Sequence, residues 1–303
     1  MRLGVVGCGD AAQTVALATR FAKGVSIAAV SDLDAARRDR FARRYRARTV
    51  ASWEELLAPG FVDAVYLAVP HDLHRTMALA FADRGIAVLL EKPVAATLEE
   101  AELLERSLPP DARVAVNYQY RADPRVQELV RSVDAGAAGE IRYVQVLVPW
   151  CRDEDYFEHA GWHAMKERAG GGTLLTQGSH ALDVALLTAG SPVRATGRVY
   201  TRVHEVEVED LAAGVIETDR GVPVFITSSM VSRPGEPVSI TVYGERGSLG
   251  YRGPSRPRLT ARGVRIRRPV VLTELHAYVA SLARFREWVD GRGTPACTVA
   301  EAM

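Results

Sequence analysis

The feature that most constrains this chain is the rhythm of its first 120 residues, where short apolar runs alternate with longer stretches of helical periodicity. Runs at 2–6, 26–30, 64–69, 86–90 and 113–117 read as strands, and 11–22, 34–46, 73–84 and 97–107 between them read as helices. A helix between every pair of strands makes each connection a crossover, so the strands run parallel and the helices cover the sheet. In the third helix Leu73, Met77, Ala80 and Phe81, bounded by Arg84, form the expected apolar stripe. Past Pro124 the texture changes. One helix near 124–135 precedes strands at Arg142–Val148, Val193–Tyr200, Leu211–Thr218, Val222–Val231 and Val238–Gly244. Turns such as Asp219-Arg220-Gly221 predict antiparallel hairpins among them. A last helix, about 273–290, lines up Leu275, Tyr278, Val279, Leu282, Phe285 and Val289 and stops at Gly291.

Composition narrows the function classes. With 48% hydrophobic and 25% charged residues over 303 positions, the chain has an ordinary globular make-up, unlike a disordered, collagenous or disulfide-stapled one. Its 38 Lys+Arg against 37 Asp+Glu leave a formal charge of +1, so no global field exists to hold nucleic acid or an anionic membrane, and neither is an expected partner. Cys8, Cys151 and Cys297 are odd in number and lack metal or redox spacing, which favours free thiols in a reducing compartment. No apolar run approaches the roughly 18 residues of a membrane span. Gly7, Gly9 and Asp10 interrupt the apolar start before a signal-peptide core forms, so a cytoplasmic location is expected. Among the 38 cations 35 are Arg, leaving only Lys23, Lys92 and Lys166. Each lysine is therefore conspicuous.

The first strand runs into Gly7-Cys8-Gly9-Asp10-Ala11-Ala12, a G-x-G-x-x-A pattern opening a helix. Gly7 permits the tight turn, Gly9 admits a pyrophosphate to the backbone, and Ala12 lets helix pack on strand. The second strand ends at Asp32, 25 residues after Gly7, where a carboxylate reaches an adenosine ribose. That acid repels a 2′-phosphate, so NAD(H) is favoured, while Arg37 and Arg38 keep NADP(H) open. Residues 1–120 are thus expected to form a Rossmann dinucleotide-binding domain in an α/β fold. Residues 121–303 are expected to form an α+β domain with a largely antiparallel sheet, for substrate binding and oligomerisation.

Two further elements, Ala68-Val69-Pro70-His71 with His74, and Glu91-Lys92-Pro93, sit just past the third and fourth strands. Through them the chain resembles the glucose-fructose oxidoreductase, inositol dehydrogenase and rhizopine-catabolism family of NAD(P)-dependent enzymes. The resemblance covers essentially the whole chain. It implies that Lys92 lies near the nicotinamide and the reacting carbon, and that Ala68, Val69, Pro70, His71, His74 and Glu91 border the cofactor. Lysine suits that place because it can release a proton where arginine cannot. The pair His71 and His74 has no accompanying ligand cluster, so no metal is expected.

In the second half, Thr176, His180 and Asp183 fall on one face if 173–189 is helical, a polar stripe on an otherwise apolar helix. By resemblance His180 is the catalytic histidine and Asp183 the acid three residues on. Many family members carry aspartate where this chain has Thr176, whose hydroxyl can bind a sugar but cannot act as a base near neutral pH. Before the Gly170-Gly171-Gly172 run, Trp150, Arg152, Tyr156, Phe157 and Trp162 form a block like that of family members acting on nucleotide sugars and hexoses. Flat rings suit sugar C–H groups and Arg152 a carboxylate or phosphate. Tyr120 and Arg121 at the domain junction are further substrate-site candidates. The resemblance implies a sugar-like small-molecule substrate, interconversion of a secondary alcohol and a ketone, and a homodimer or homotetramer built on face-to-face sheets. Thr176 keeps a second reading open, a cofactor-bound sensor without catalysis; reduction of an imine or other non-sugar carbonyl is a third. The segment Thr298-Val299-Ala300-Glu301-Ala302 opens a helix in the family, so a short or truncated C-terminus is expected here.

Overall fold

The computed structural model describes residues 1–158, 161–253 and 270–303. They form two compact units: Met1–Ala122 together with Leu275–Met303, and Asp123–Glu274.

The first unit is a parallel sheet of β1 (Arg2–Val6), β2 (Ser26–Ser31), β3 (Arg48–Thr49), β4 (Ala64–Leu67), β5 (Ala87–Leu90) and β6 (Val114–Val116). Its order β3-β2-β1-β4-β5-β6 is that of a doubly wound dinucleotide fold. The covering helices are α1 (Asp10–Ala18), α2 (Ala35–Tyr45), α3 (His74–Ala82) and α4 (Leu98–Ser107). Every residue of β4 and β5 is buried. Tyr66 and Leu89 point into one core with Phe41, Leu282 and Phe285, whereas Val65, Leu67, Val88 and Leu90 point into the other with Phe81 and Leu104. Two covered faces explain why these strands read as unbroken apolar runs. The expected α3 stripe is shifted: the fully buried positions are His74, Ala78 and Phe81, with Leu73 and Met77 only partly covered.

The second unit starts with α5 (Pro124–Asp134), whose Asp123 caps the Arg125 N–H. It continues through β7 (Ile141–Pro149), α6 (Asp155–Glu158), α7 (Lys166–Ala169), a π-helical turn (Leu174–Gly178) and α8 (Ser179–Ala189). Then come β8 (Pro192–Tyr200), β9 (Leu211–Thr218), β10 (Pro223–Ser229), β11 (Ser239–Gly244) and β12 (Gly247–Arg252). The sheet order is β12-β11-β7-β10-β9-β8. It is mostly antiparallel, but β7 and β10 pair in parallel, from Val224 beside Val144 to Ser229 beside Pro149. One face is apolar, with Val144, Val146, Val224, Ile240 and Val242 buried, and α8 packs on β7, β10 and β11. The other face exposes Tyr143, Leu147 and Phe225.

Leu275–Met303 does not stay with 121–274, as a single boundary at 120 had it. On α9 (Val270–Val289), Leu275, Leu282 and Phe285 enter the first unit's core beside Leu3, Val15 and Ala18. Each such side chain contributes about 1.5–3 kcal/mol when buried, enough to draw the helix there. Cys297 and Val299 join the opposite core, and Thr298 bridges to Ala115 at the β6 edge. The chain closes on a 3₁₀ turn at Ala300–Ala302.

Candidate active site

In the first unit the motif folds as its residue types require. Gly7 has φ +85°, and a Cβ there would lie 2.1 Å from the Ala68 carbonyl oxygen. Gly9, by contrast, has nothing within 4 Å of its Cβ position, and α1 begins behind it without a side-chain cap. Unblocked N–H groups at a helix start, beside open space, form an anion cradle. Asp10 is exposed in the first turn, Ala11 half-buried and Ala12 fully buried. The Asp32 carboxylate is held by two backbone donors, Cys8 N–H at 2.7 Å and Asp34 N–H at 2.8 Å, one on each oxygen. A carboxylate oxygen has two lone pairs, so each keeps one for a ribose hydroxyl. These residues fit a dinucleotide. Arg38 is engaged by Asp39 at 3.0 Å and Arg37 by Asp34 at 3.7 Å. The Cys8 thiol is buried, and desolvation, with Asp32 adding to it, pushes its pKa up to about 12.

Ala68, Val69 and Pro70 form a half-exposed lip after β4, followed by buried His71. His74 is wholly buried, its Nδ1 2.9 Å from Pro93 O and its Nε2 3.0 Å from Val69 O. Its ring thus lies between main-chain carbonyls of the loop after β4 and the loop after β5. Desolvation lowers its pKa against the pull of those carbonyls.

Lys92 is half-buried just past β5. The neighbouring Glu91 carboxylate turns into the unit's interior, accepting hydrogen bonds from Tyr66 OH at 2.5 Å and Asn117 Nδ2 at 2.6 Å. Burial raises the Glu91 pKa, opposed most by the Lys92 charge. Tyr120 is buried, and the Arg121 guanidinium lies 3.3 Å from the Glu301 carboxylate, an ion pair with the C-terminal segment.

In the second unit the last of the three glycines has a specific cause. A Cβ on Gly172 would sit 1.8 Å from the Glu209 carbonyl oxygen, which accepts Thr173 N–H at 2.8 Å. The Glu209 carboxylate accepts Gly172 N–H at 2.7 Å and Leu174 N–H at 3.1 Å, anchoring the helix start. The π-helical turn carries Thr176, whose hydroxyl donates to Gly172 O at 2.7 Å, and leads into α8 with His180 buried and Asp183 half-buried. Such turns recur at functional sites. The aromatic block assembles round Arg152, whose guanidinium lies 5.2 Å from the Trp150 ring centroid and 4.9 Å from that of Tyr156. It donates to Gln177 Oε1 at 2.7 Å, while Gln177 Nε2 donates to Tyr156 OH at 3.1 Å. His163 stacks on Tyr156 at 4.6 Å. Phe157 and Trp162 pack with Ala169, Val208 and Met230. Beneath, His204 bridges Asp210 at 3.2 Å and the Arg152 carbonyl at 3.1 Å. Backbone N–H groups of Arg202, Val203 and His204 hold the Asp210 pKa below the usual carboxylate value against desolvation.

Sequence reading missed Gln177, Glu209, His204, Asp210, Asn117 and Ser281. Gln177 adjoins a singled-out threonine, but the others carry no local pattern.

A doubly wound sheet with this fingerprint, joined to a mixed-sheet unit, defines a nucleotide-dependent oxidoreductase. Residues 1–120 match the oxidoreductase family with the NAD-binding Rossmann fold, and 126–250 match the GFO/IDH/MocA C-terminal domain. The chain belongs to this family. It is 28% identical to the dTDP-3,4-didehydro-2,6-dideoxy-alpha-D-glucose 3-reductase of Actinomadura kijaniata, over 82% of this chain and 73% of the relative. It is 29% identical to inositol 2-dehydrogenase 2 of Saccharopolyspora erythraea, over 84% of this chain and 74% of the relative. Among solved structures it resembles the WlbA dehydrogenase from Bordetella pertussis in complex with NADH and UDP-GlcNAcA, with TM-score 0.88, 24% identity and coverage of 100% of this chain and 91% of that one.

Proposed function

We propose that this NAD(P)-dependent oxidoreductase interconverts a secondary alcohol and a ketone on a sugar, nucleotide sugar or cyclitol, with NAD(H) as its preferred cofactor. The observation that carries the reading is the placement of Lys92, at the carboxyl end of β5 in a sheet whose β1 end carries the Gly7–Gly9 cradle and whose β2 end carries Asp32. In open α/β sheets ligands lie outside those strand ends. NAD(H) is supported by the Asp32 carboxylate and by the engagement of Arg37 and Arg38 with neighbouring acids. When bound, the nicotinamide supplies the hydride acceptor or donor. The chain's own groups handle the hydroxyl proton: a neutral Lys92 amine accepts it when the alcohol is oxidised, and the ammonium returns it when the ketone is reduced. His180 is the second candidate for that transfer, and Thr176 and Asp183 for holding hydroxyls. The Arg152 guanidinium, braced by Gln177 and the rings of Trp150 and Tyr156, suits an anionic group of the substrate.

A homo-oligomer is supported by the exposed sheet face of the second unit, where Tyr143 stacks on Tyr243 at 4.5 Å and meets Phe225 edge-on at 5.8 Å. Among the described residues no helix is long and apolar enough to cross a membrane. A cytoplasmic location agrees with three cysteines that are all free.

The test is Lys92→Met assayed with NADH and a panel of keto sugars, beside mass spectrometry of any co-purified ligand. Turnover should vanish with NADH affinity largely kept, and near-normal turnover would remove Lys92 from the mechanism. The sensor reading rests on Thr176, whose hydroxyl donates to a main-chain carbonyl. Tight NADH binding by the native chain with no turnover on any panel member would favour it.

A further inference from the structure

Behind Lys92 a buried polar chain crosses the first unit. Ser281 Oγ, on α9, donates to Asn117 Oδ1 at 2.9 Å, and Asn117 Nδ2 donates to Glu91 Oε1 at 2.6 Å. The Tyr66 hydroxyl reaches the same carboxylate oxygen at 2.5 Å. Ser281 is 3% exposed, Asn117 1%, Tyr66 0% and Glu91 8%, so solvent replaces none of these partners. The direction of the chain is set by the Glu91 carboxylate, which only accepts: it takes Nδ2 of the Asn117 amide, since the flipped amide would set two acceptors against each other, and Ser281 Oγ, donating to Oδ1, holds that orientation. With Oε1 saturated, Oε2 accepts the backbone N–H of Lys92 at 3.2 Å. The titratable groups facing Glu91 are Lys92 and Tyr66, with Tyr278 acting on Tyr66 from α9.

We infer that Glu91 is a positioning residue that fixes the place and charge state of Lys92, and that Asn117 and Ser281 act on Lys92 through it. The C-terminal helix thereby belongs to the proton-handling apparatus although its serine touches no reacting atom. The inference rests on the reading of Lys92 given above. An ionised buried carboxylate favours the ammonium form of its neighbour, and the Tyr66 and Asn117 donors oppose the burial that raises the Glu91 pKa. Loss of a donor lets Glu91 take up a proton, which removes that support.

The lysine count makes a direct test available, because labelling with [ε-¹³C]lysine gives only the signals of Lys23, Lys92 and Lys166. The Lys92 signal is the one absent from Lys92→Met. In the full-length protein, Glu91→Gln should move the Lys92 titration to lower pH by about one unit. Ser281→Ala should move it the same way by less, and Ser281→Thr, which keeps the hydroxyl, should restore the native midpoint. Lys92 titrating as in the native protein in both Glu91→Gln and Ser281→Ala overturns the inference. If Glu91→Gln fails to fold, Ser281→Ala alone decides it. The titration needs no substrate, so it is independent of Lys92→Met turnover: an active Lys92→Met removes the catalytic reading, whereas an unmoved titration removes only this one.

Discussion

Two glycines of one motif should respond to the same substitution in opposite ways. Gly7 sits at φ +85° with the Ala68 carbonyl oxygen 2.1 Å from its Cβ position. Alanine there meets the left-handed backbone cost of about 1–2 kcal/mol. It also meets an overpacking cost of about 1–3 kcal/mol, because the clashing atom is backbone at the end of β4 and cannot rotate away. Gly7→Ala should therefore destabilise the first unit by roughly 2–5 kcal/mol. At about 2–4 °C per kcal/mol for a unit of this size, thermal unfolding should fall by at least about 4 °C. Gly9 has φ −73° and an empty Cβ position, so alanine fits both backbone and surroundings. Stability of Gly9→Ala should stay within about 1 kcal/mol, since the gain from a stiffer unfolded chain roughly offsets the poorer cap. Its methyl group would stand where the pyrophosphate is proposed to approach, weakening NADH binding at least tenfold, or about 1.4 kcal/mol. Scanning calorimetry and a fluorescence titration of NADH on both variants give the four numbers. Native-like NADH affinity in Gly9→Ala would refute the placement of the phosphates, and an undiminished melting temperature in Gly7→Ala would refute the clash.

Other outcomes follow from the same geometry. Asp32→Ser should narrow the preference for NAD over NADP, read as the ratio of the two dissociation constants; an unchanged ratio would place the ribose elsewhere. Burial lowers the His74 pKa from 6.5, so the unfolded chain takes up a proton first as pH falls. Its contribution to stability is thus fully present above about pH 6.5 and declines below it until the folded form protonates too, and His74→Gln should flatten that part of the melting-temperature profile. A Cβ on Gly172 would strike the Glu209 carbonyl, so Gly172→Ala should lower the second unit's unfolding temperature. Glu209→Gln keeps one acceptor for two N–H donors and should cost about 1 kcal/mol in the same melt. Equal stability of both variants would remove the cap.

Legibility from sequence differed by kind of feature. β1, β2, β4 and β5 were visible within a few residues because full burial selects an unbroken apolar run. β3 is two residues long, and β12 reads Gly-Ser-Leu-Gly-Tyr-Arg, so neither carries a strand signal. The Gly7–Gly9 motif, Asp32 and Glu91-Lys92 could be found because their spacing is local. Arg152 and Tyr156 were found as residue types, but Gln177, which braces both, was passed over beside Thr176 because its partners lie more than 20 positions away in the chain. His74, expected to border the cofactor, is wholly buried between two carbonyls, and that environment left no mark in the neighbouring sequence.

The sequence by itself determined the parallel Rossmann-type sheet, the largely antiparallel strands of the second unit and the glycine fingerprint after β1, all consequences of short-range periodicity and turn chemistry. Tertiary structure alone decided that α9 returns to the first unit, that Ser281 meets Asn117 across 164 positions of chain, and that β10 lies parallel to β7. Those outcomes depend on which apolar faces find each other after the local elements have formed, and no window of neighbouring residues contains both partners.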